Sequence, residues 1–139
     1  MLQPVEIDPR RFCRDTQSWE TRSDVSAFPR LVREFTQGEL FCRVGGRTDP
    51  RGGMALDLSV HGEVELTCQR CLAGLLHRID IDRTVHLARN ADELDRLDAL
   101  PDGDAILAGD KLDLLVLVED EVLLSLPLAA MHAEGECPA

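Results

Sequence analysis

The sequence contains few aromatic residues and no long apolar run. Aromatic side chains make up 4% of the chain, and Trp19 and four phenylalanines are the only ones. Proteins that hold single-stranded nucleic acid stack its bases on such rings, so a base-stacking platform is not expected. No segment approaches the about 18 consecutive apolar residues of a membrane-spanning helix, and the first residues lack the basic and apolar regions of a secretory signal. We therefore expect a soluble, cytoplasmic protein without a membrane partner.

The five cysteines are an odd number, which does not fit a disulfide framework. Thiols stay reduced in the cytoplasm, so we expect free thiols, core residues or metal ligands. A chain of 139 residues has the common size of one domain, and such a domain buries roughly 68–70% of the surface that its unfolded chain exposes. We predict a single domain over residues 1–139, with a core built mainly from Leu, Val and Ile.

Negative charge is concentrated in the later part of the chain. The formal net charge is -11. Residues 1–51 contain nine arginines and eight acidic residues, whereas residues 52–139 contain six basic and eighteen acidic residues. An acidic surface repels phosphate backbones and attracts basic partners over long distances, an effect that salt weakens. The acidic part is therefore either a solvated face or a surface for a basic partner.

Apolar and polar residues alternate in three segments, which predicts strands of a mainly antiparallel sheet. The predicted strands cover about residues 40–46, 54–68 and 74–87. Gly62 has the same parity as the apolar residues of the second segment, so one long strand bent at glycine fits better than a hairpin. The sequence LTCQRCL, residues 66–72, then lies at the tip between the two longest strands.

Spacings of three and four residues between apolar positions predict two helices. A short N-terminal helix is expected at about residues 24–36, with Ser23 or Asp24 as its N-cap. A buried C-terminal helix is expected at about residues 113–126, with Asp113 as its N-cap and a proline directly after its end.

The remaining segments show no clear periodicity. Residues 1–22 are expected to form an extended arm. Residues 88–111 are expected to form an acidic connection, with one helical turn around Leu94 and Leu97. Together these elements predict an α+β fold.

The predicted C-terminal helix carries three consecutive acidic residues, Glu119, Asp120 and Glu121, which we expect on its exposed face. Consecutive helical side chains point about 100° apart, so these carboxylates do not form a facing acid–base pair. The sequence also contains no G-x-S-x-G elbow and no G-K-[ST] phosphate loop. These absences argue against an enzyme.

Cys68 and Cys71 have C-x-x-C spacing, which suits redox chemistry, metal binding or a structural corner. Redox chemistry requires a lowered thiol pKa, usually from a following helix N-terminus, but strand alternation follows here. Structural zinc requires four ligands, and His132 and Cys137 have a suitable spacing near the C-terminus. These four residues are the candidate ligands of a structural zinc. The alternative is that Cys68 packs into the core and Cys71 serves as a small apolar residue.

Two blocks of the sequence resemble the YceD-type large ribosomal RNA subunit accumulation proteins of bacteria and plastids. They are the strand ending in LTCQRCL and the segment DLLVLVEDEVLLSLPLAAMH with a later cysteine, within residues 56–87 and 112–137. The resemblance implies a role in the accumulation of large-subunit ribosomal RNA, and hence in ribosome assembly, with no established catalytic activity. The positions that match the family pattern are Cys68, Arg70, Cys71, Leu72, Glu119, Asp120, Glu121, Leu126, Pro127, His132 and Cys137.

The resemblance and the charge together predict a non-catalytic adaptor. We expect the acidic later part of the chain, including the three helix carboxylates, to bind a basic ribosomal protein or assembly factor. Affinity for phosphates requires clustered Lys and Arg, so direct contact with ribosomal RNA is expected only at a few arginines. These are Arg43, Arg47 and Arg51, together with Arg70 at the tip.

The alternative function is a zinc-dependent RNA-processing enzyme. A catalytic zinc keeps one coordination position open for water, whereas the four candidate ligands would fill all four positions. A structural domain with an obligate partner is a third alternative.

Overall fold

The computed structural model describes residues 1–99, 104–127, 135 and 137. It is an α+β fold whose main element is an antiparallel sheet, which confirms the predicted fold class. Its elements, in chain order, are β1 (Glu6–Ile7), α1 (Pro9–Arg14), β2 (Ser18–Asp24), a 3₁₀ helix (Val25–Ala27), β3 (Gln37–Thr48), β4 (Met54–Thr67), β5 (Gly74–Ala88), α2 (Ala91–Asp98), β6 (Ala105–Leu107), β7 (Leu112–Asp113) and α3 (Leu114–Ser125).

The main sheet has the strand order β2-β3-β4-β5-β6. The pairs from β2 to β5 are antiparallel, and β6 pairs parallel with β5 at the edge. The three predicted strands are confirmed. β3 is slightly longer than predicted, and the ends of β4 and β5 lie close to the predicted ones. β4 continues through Gly62 as one strand, as the parity of its apolar residues predicted.

The core lies between the inner face of this sheet and the helices α1 and α3. Side chains alternate between the two faces of a strand, and the inner-face residues of β3, β4 and β5 are apolar. Buried examples from these strands are Leu40, Cys42, Val44, Leu56, Leu58, Val60, Ile79 and Ile81. Phe12 of α1 packs directly on Gly46, where a Cβ atom would lie 2.6 Å from the Phe12 ring and 2.8 Å from its carbonyl oxygen. Only glycine allows this close approach.

Helix α3 begins at the predicted N-cap. The Asp113 carboxylate accepts hydrogen bonds from the backbone N–H groups of Leu115 (2.9 Å) and Val116 (3.4 Å), and also from that of Val5 (3.1 Å). The cap therefore satisfies the first turn of α3 and holds the N-terminal segment beside it. β1 pairs with β7 at the same place. Among the described residues, we find no helix with the length and apolar character needed to cross a membrane.

The short N-terminal helix is present, but not at the predicted residues 24–36. The α-helix is α1, and the predicted segment contains only the 3₁₀ helix followed by turns. Pro29 has no N–H to donate to a helical ladder. Phe28, Leu31 and Phe35 are buried nonetheless, so their spacing reflects burial of a turn-rich segment rather than helix periodicity.

Two other segments are also more structured than predicted. Residues 1–22, predicted as an extended arm, contain α1 and most of the edge strand β2. Residues 88–111, predicted as an acidic connection, contain α2, which includes the expected turn around Leu94 and Leu97, and β6. The side chain of Asn90 caps α2 by accepting the N–H of Glu93 at 2.9 Å.

Candidate functional site

The connection between β4 and β5 is a tight tip closed by backbone hydrogen bonds. The N–H of Cys68 donates to the carbonyl of Ala73 at 2.9 Å, and the N–H of Leu72 donates to the carbonyl of Cys68 at 2.8 Å. Leu72 adopts a left-handed conformation with φ of 63°. The turn therefore places Cys68 and Cys71, three residues apart in sequence, on the same side of the tip.

Three cysteine sulfurs meet at this tip. Those of Cys68, Cys71 and Cys137 all lie within 4.8 Å of one another. The Sγ atoms of Cys68 and Cys137 are 3.8 Å apart, although these residues are 69 positions apart in sequence. None of the three is in a disulfide, and Cys68 is buried whereas the other two are half-buried. His132, the fourth candidate ligand, lies outside the described residues.

The separation of the Cys68 and Cys137 sulfurs fits a tetrahedral metal centre. A Zn–S bond is about 2.3 Å, so two thiolates of one tetrahedral zinc are about 3.8 Å apart. This is the separation of the Cys68 and Cys137 sulfurs. Thiolates are soft ligands that favour zinc over magnesium or calcium. Desolvation and hydrogen bonds with the thiols of Cys71 and Cys68 raise the pKa of Cys137 to about 11, whereas a divalent cation deprotonates a coordinating thiol.

The acidic residues of α3 are mostly turned inward, contrary to the prediction for Glu119 and Glu121. Glu119 is only 1% exposed, and its carboxylate accepts the backbone N–H of Arg30 at 2.7 Å. Asp120 keeps 47% of its side-chain surface exposed and pairs with the guanidinium of Arg30 at 2.6 Å. Two consecutive carboxylates thus hold the segment around Arg30 against α3.

Glu121 joins α3 to the sheet. It is 9% exposed and pairs with the guanidinium of Arg83 at 2.7 Å. Arg83 also contacts the carboxylate of Asp104. Hydrogen bonding to Asp104 and the negative charge of Glu121 raise the pKa of Arg83 above its ordinary value. A buried carboxylate that already has a cationic partner does not serve as a docking charge, so Glu121 has a structural role.

The predicted RNA-contacting arginines do not form one surface. Arg43 is exposed on β3, and Arg47 pairs with Asp57 at 2.8 Å. Arg51 is exposed in the β3–β4 turn, and Arg70 is exposed at the opposite tip. The turn and the tip lie at opposite ends of β4. This strand has 14 residues, and at about 3.3 Å per residue it is roughly 45 Å long. Arg70 and Arg51 therefore cannot contact the same short stretch of RNA.

The opposite face of the main sheet, called the outer face below, is polar and acidic. It consists of Asp57, His61, Glu65 and the other β4 residues of the same parity. It also includes the residues of β2, β3 and β5 that pair with them across the sheet. The acidic members are Glu20, Asp24, Glu39, Asp57, Glu63, Glu65, Asp80 and Asp82. The arginines of this face are Arg22, Arg43, Arg47 and Arg78, and its histidines are His61 and His86. All of these residues are exposed or half-buried.

A histidine between two carboxylates lies near the centre of the outer face. The Nδ1 atom of His61 is 2.6 Å from Asp80, and its Nε2 atom is 3.1 Å from Asp82. Hydrogen bonds from Ser59 and His61 lower the pKa of Asp82 below its ordinary value. Only the strand register, which places Asp80 opposite His61, reveals this cluster.

Comparisons with known proteins match the part of the chain that contains the two blocks quoted above. The family model described as "Large ribosomal RNA subunit accumulation protein YceD" matches residues 56–139. A protein of Haemophilus influenzae with the same description is 30% identical over 89 residues, which cover 64% of this chain and 51% of that protein. The chain thus spans about half the length of this relative. No solved structure matches the chain. Because the family model covers more than half of the sequence, the chain belongs to the YceD family.

Proposed function

We propose that this chain is a non-catalytic ribosome-assembly factor that supports the accumulation of large-subunit ribosomal RNA in the cytoplasm. It acts as an acidic adaptor for a basic ribosomal protein or assembly factor. The family assignment supports the role in ribosomal RNA accumulation. The charge distribution of the fold supports the adaptor mechanism.

The observation that carries the adaptor mechanism is the acidic outer face. It presents eight carboxylates and four guanidinium groups on one surface, in a chain of net charge -11. Such a surface steers basic partners toward it and repels phosphates. Because Glu119 and Glu121 are buried, the binding charges are those of the sheet rather than those of α3.

The three clustered cysteines hold a structural zinc in this proposal. Cys68, Cys71 and Cys137 supply three thiolates, and His132 is the predicted fourth ligand. The metal ties the C-terminal part of the chain to the β4–β5 tip. Binding of a structural zinc contributes on the order of 10 kcal/mol. Its role is to fix the C-terminal segment, not to activate water.

Metal content tests this part of the proposal. Native mass spectrometry of protein produced with zinc should show one zinc per chain, and Cys137→Ser should lose it. Cys13→Ser is the matched control, because Cys13 lies away from the tip. Its thiol donates a hydrogen bond to the carbonyl of Ala55. A metal-free wild-type protein whose unfolding is unchanged by chelator would contradict the proposal of a structural zinc.

His132→Ala separates a structural zinc from a catalytic one. If His132 is the fourth ligand, this variant opens a coordination position and weakens zinc binding. If zinc binding is unchanged and the zinc-loaded protein cleaves precursor ribosomal RNA, the chain is a zinc-dependent enzyme and the adaptor proposal is wrong.

The cellular role is tested in a strain that lacks the gene. We expect a lower ratio of large-subunit to small-subunit ribosomal RNA, restored by the wild-type chain. Glu20→Lys/Glu63→Lys, which reverses two exposed charges of the outer face, should not restore the ratio. An unchanged ratio in the deletion strain would contradict the proposed function.

A further inference from the structure

A cleft with several basic side chains lies at the end of the main sheet opposite the cysteines. It is formed by the β3–β4 turn, the end of β5 and helix α2, and its volume is about 700 Å³. Its ionisable lining residues are Asp49, Arg51, His86, Arg89, Glu93 and Arg96. This cleft lies at the other end of the sheet from the cysteine tip, and its lining includes none of the four outer-face arginines.

The positive charge of the cleft is only partly neutralised. Arg89 pairs with Glu93 at 3.2 Å. The Asp49 carboxylate already accepts the backbone N–H groups of Arg51 and Gly53, both at 2.8 Å. Within the described part of the chain, the guanidinium groups of Arg51 and Arg96 form no ion pair. Two unneutralised guanidinium groups in one concavity are notable in a chain of net charge -11.

His86 adds a polar atom without a partner. Its Nδ1 atom is buried and has no hydrogen-bond partner among the described residues. Buried polar atoms almost always have a partner, so each exception requires an explanation. His86 lines the cleft beside Arg51 and Arg89, which places an imidazole ring in its wall.

We propose that this cleft binds phosphate groups of an RNA backbone through Arg51, Arg89 and Arg96, with His86 as an additional donor. The choice of RNA as the source of the phosphate rests on the proposed function. Guanidinium groups match phosphate oxygens in a bidentate manner. Among the described residues, no Phe, Tyr or Trp lines the cleft, so recognition is through the backbone and independent of base sequence. The acidic outer face repels RNA and confines contact to this end of the sheet.

Fluorescence anisotropy tests the proposal on the full chain. The probe is a labelled single-stranded RNA of about 12 nucleotides, a length that a small groove can contact. Three phosphate contacts predict a slope of about -2 for log K against log[salt], since each contact contributes about 0.7. Arg51→Gln/Arg96→Gln should reduce the slope to about -0.7. It should also weaken binding about tenfold or more near 50 mM salt.

The matched control is Arg22→Gln/Arg78→Gln, which removes the same charge from the outer face. It should bind RNA as the wild-type protein does. Equal losses in the two double variants would mean that binding reflects general charge, and absence of RNA binding at low salt would mean that the cleft is not an RNA site. Either result overturns the inference.

A second arm distinguishes RNA from free phosphate. Inorganic phosphate is titrated at constant ionic strength and followed by NMR shifts of Arg51, His86 and Arg96. Phosphate binding without RNA binding would contradict the choice of RNA. The ribosomal RNA ratio in cells tests the proposed function separately. A wild-type chain that restores this ratio but binds no RNA in vitro would therefore contradict RNA binding by the cleft. It would not contradict the adaptor function.

Discussion

Glu119 offers a sharp test of the fold, because the same helix provides its control. Glu119→Ala removes a carboxylate that is 1% exposed and accepts the N–H of Arg30 at 2.7 Å. Loss of a hydrogen bond to a charged group costs about 1.5–3 kcal/mol. Loss of the buried methylene contacts adds about 1 kcal/mol. We expect the free energy of unfolding to fall by about 3 kcal/mol, a large part of the 5–15 kcal/mol typical of a domain.

Asp120→Ala removes the same charge one position later in α3. Asp120 and Arg30 form a pair whose side chains are 47% and 43% exposed, and such surface pairs contribute less than about 1 kcal/mol. Urea unfolding measures both variants, with the midpoint interpreted only where the slope is unchanged. Glu119→Gln keeps an acceptor oxygen and should lose only about 1 kcal/mol. Equal losses for Glu119→Ala and Asp120→Ala would refute the buried position of the Glu119 carboxylate.

Two further predictions concern the main sheet. Gly46→Ala should lower the free energy of unfolding by about 1–3 kcal/mol, because the new Cβ atom meets the carbonyl oxygen of Phe12 at 2.8 Å; Gly45→Ala, with no atom within 4 Å, should be neutral or slightly stabilising. Burial alone would raise the pKa of Asp57, but hydrogen bonding to Arg47 contributes to a net pKa below 3.8. Stability from this pair is therefore present above pH 3.8 and lost as the pH falls through the lowered pKa. NMR of the carboxyl carbon should show that Arg47→Gln raises the pKa of Asp57, and an unchanged pKa would contradict the pairing.

The long strands and α3 were predictable because their signals are local. Strict alternation defines β3, β4 and β5, and the parity of Gly62 excludes a hairpin within β4. Asp113 caps α3 as predicted, because N-cap preference depends only on neighbouring backbone groups. The edge strand β2 was missed because it is mostly polar and derives its stability from pairing with β3.

The burial of Glu119 and Glu121 could not be predicted from α3 alone. Glu119 depends on the backbone of Arg30, 89 positions away, and Glu121 depends on Arg83 in β5, 38 positions away. Spacing within one helix shows which residues share a face, but it does not show which distant cation or N–H group a carboxylate meets. Polar residues on an apolar helix are therefore assigned to solvent by default.

The candidate site shows the same division between local and distant information. The C-x-x-C spacing and the strand alternation placed Cys68 and Cys71 at a tip, and the structure brings Cys137 to the same tip. The basic cleft was not predicted beyond Arg51, because Arg89 and Arg96 join it only when α2 folds beside the β3–β4 turn.

The adaptor mechanism is tested most directly by a pull-down from nuclease-treated lysate. The wild-type chain is compared with Glu20→Lys/Glu63→Lys on the outer face. The control is Glu34→Lys/Asp110→Lys, which changes the same charge at exposed positions outside that face. We predict that the wild type and the control recover a basic ribosomal protein or assembly factor, that salt weakens its binding, and that the outer-face variant loses it. Recovery of RNA without a protein partner in a parallel pull-down from untreated lysate, or equal recovery of the basic protein by all three chains, would contradict the account.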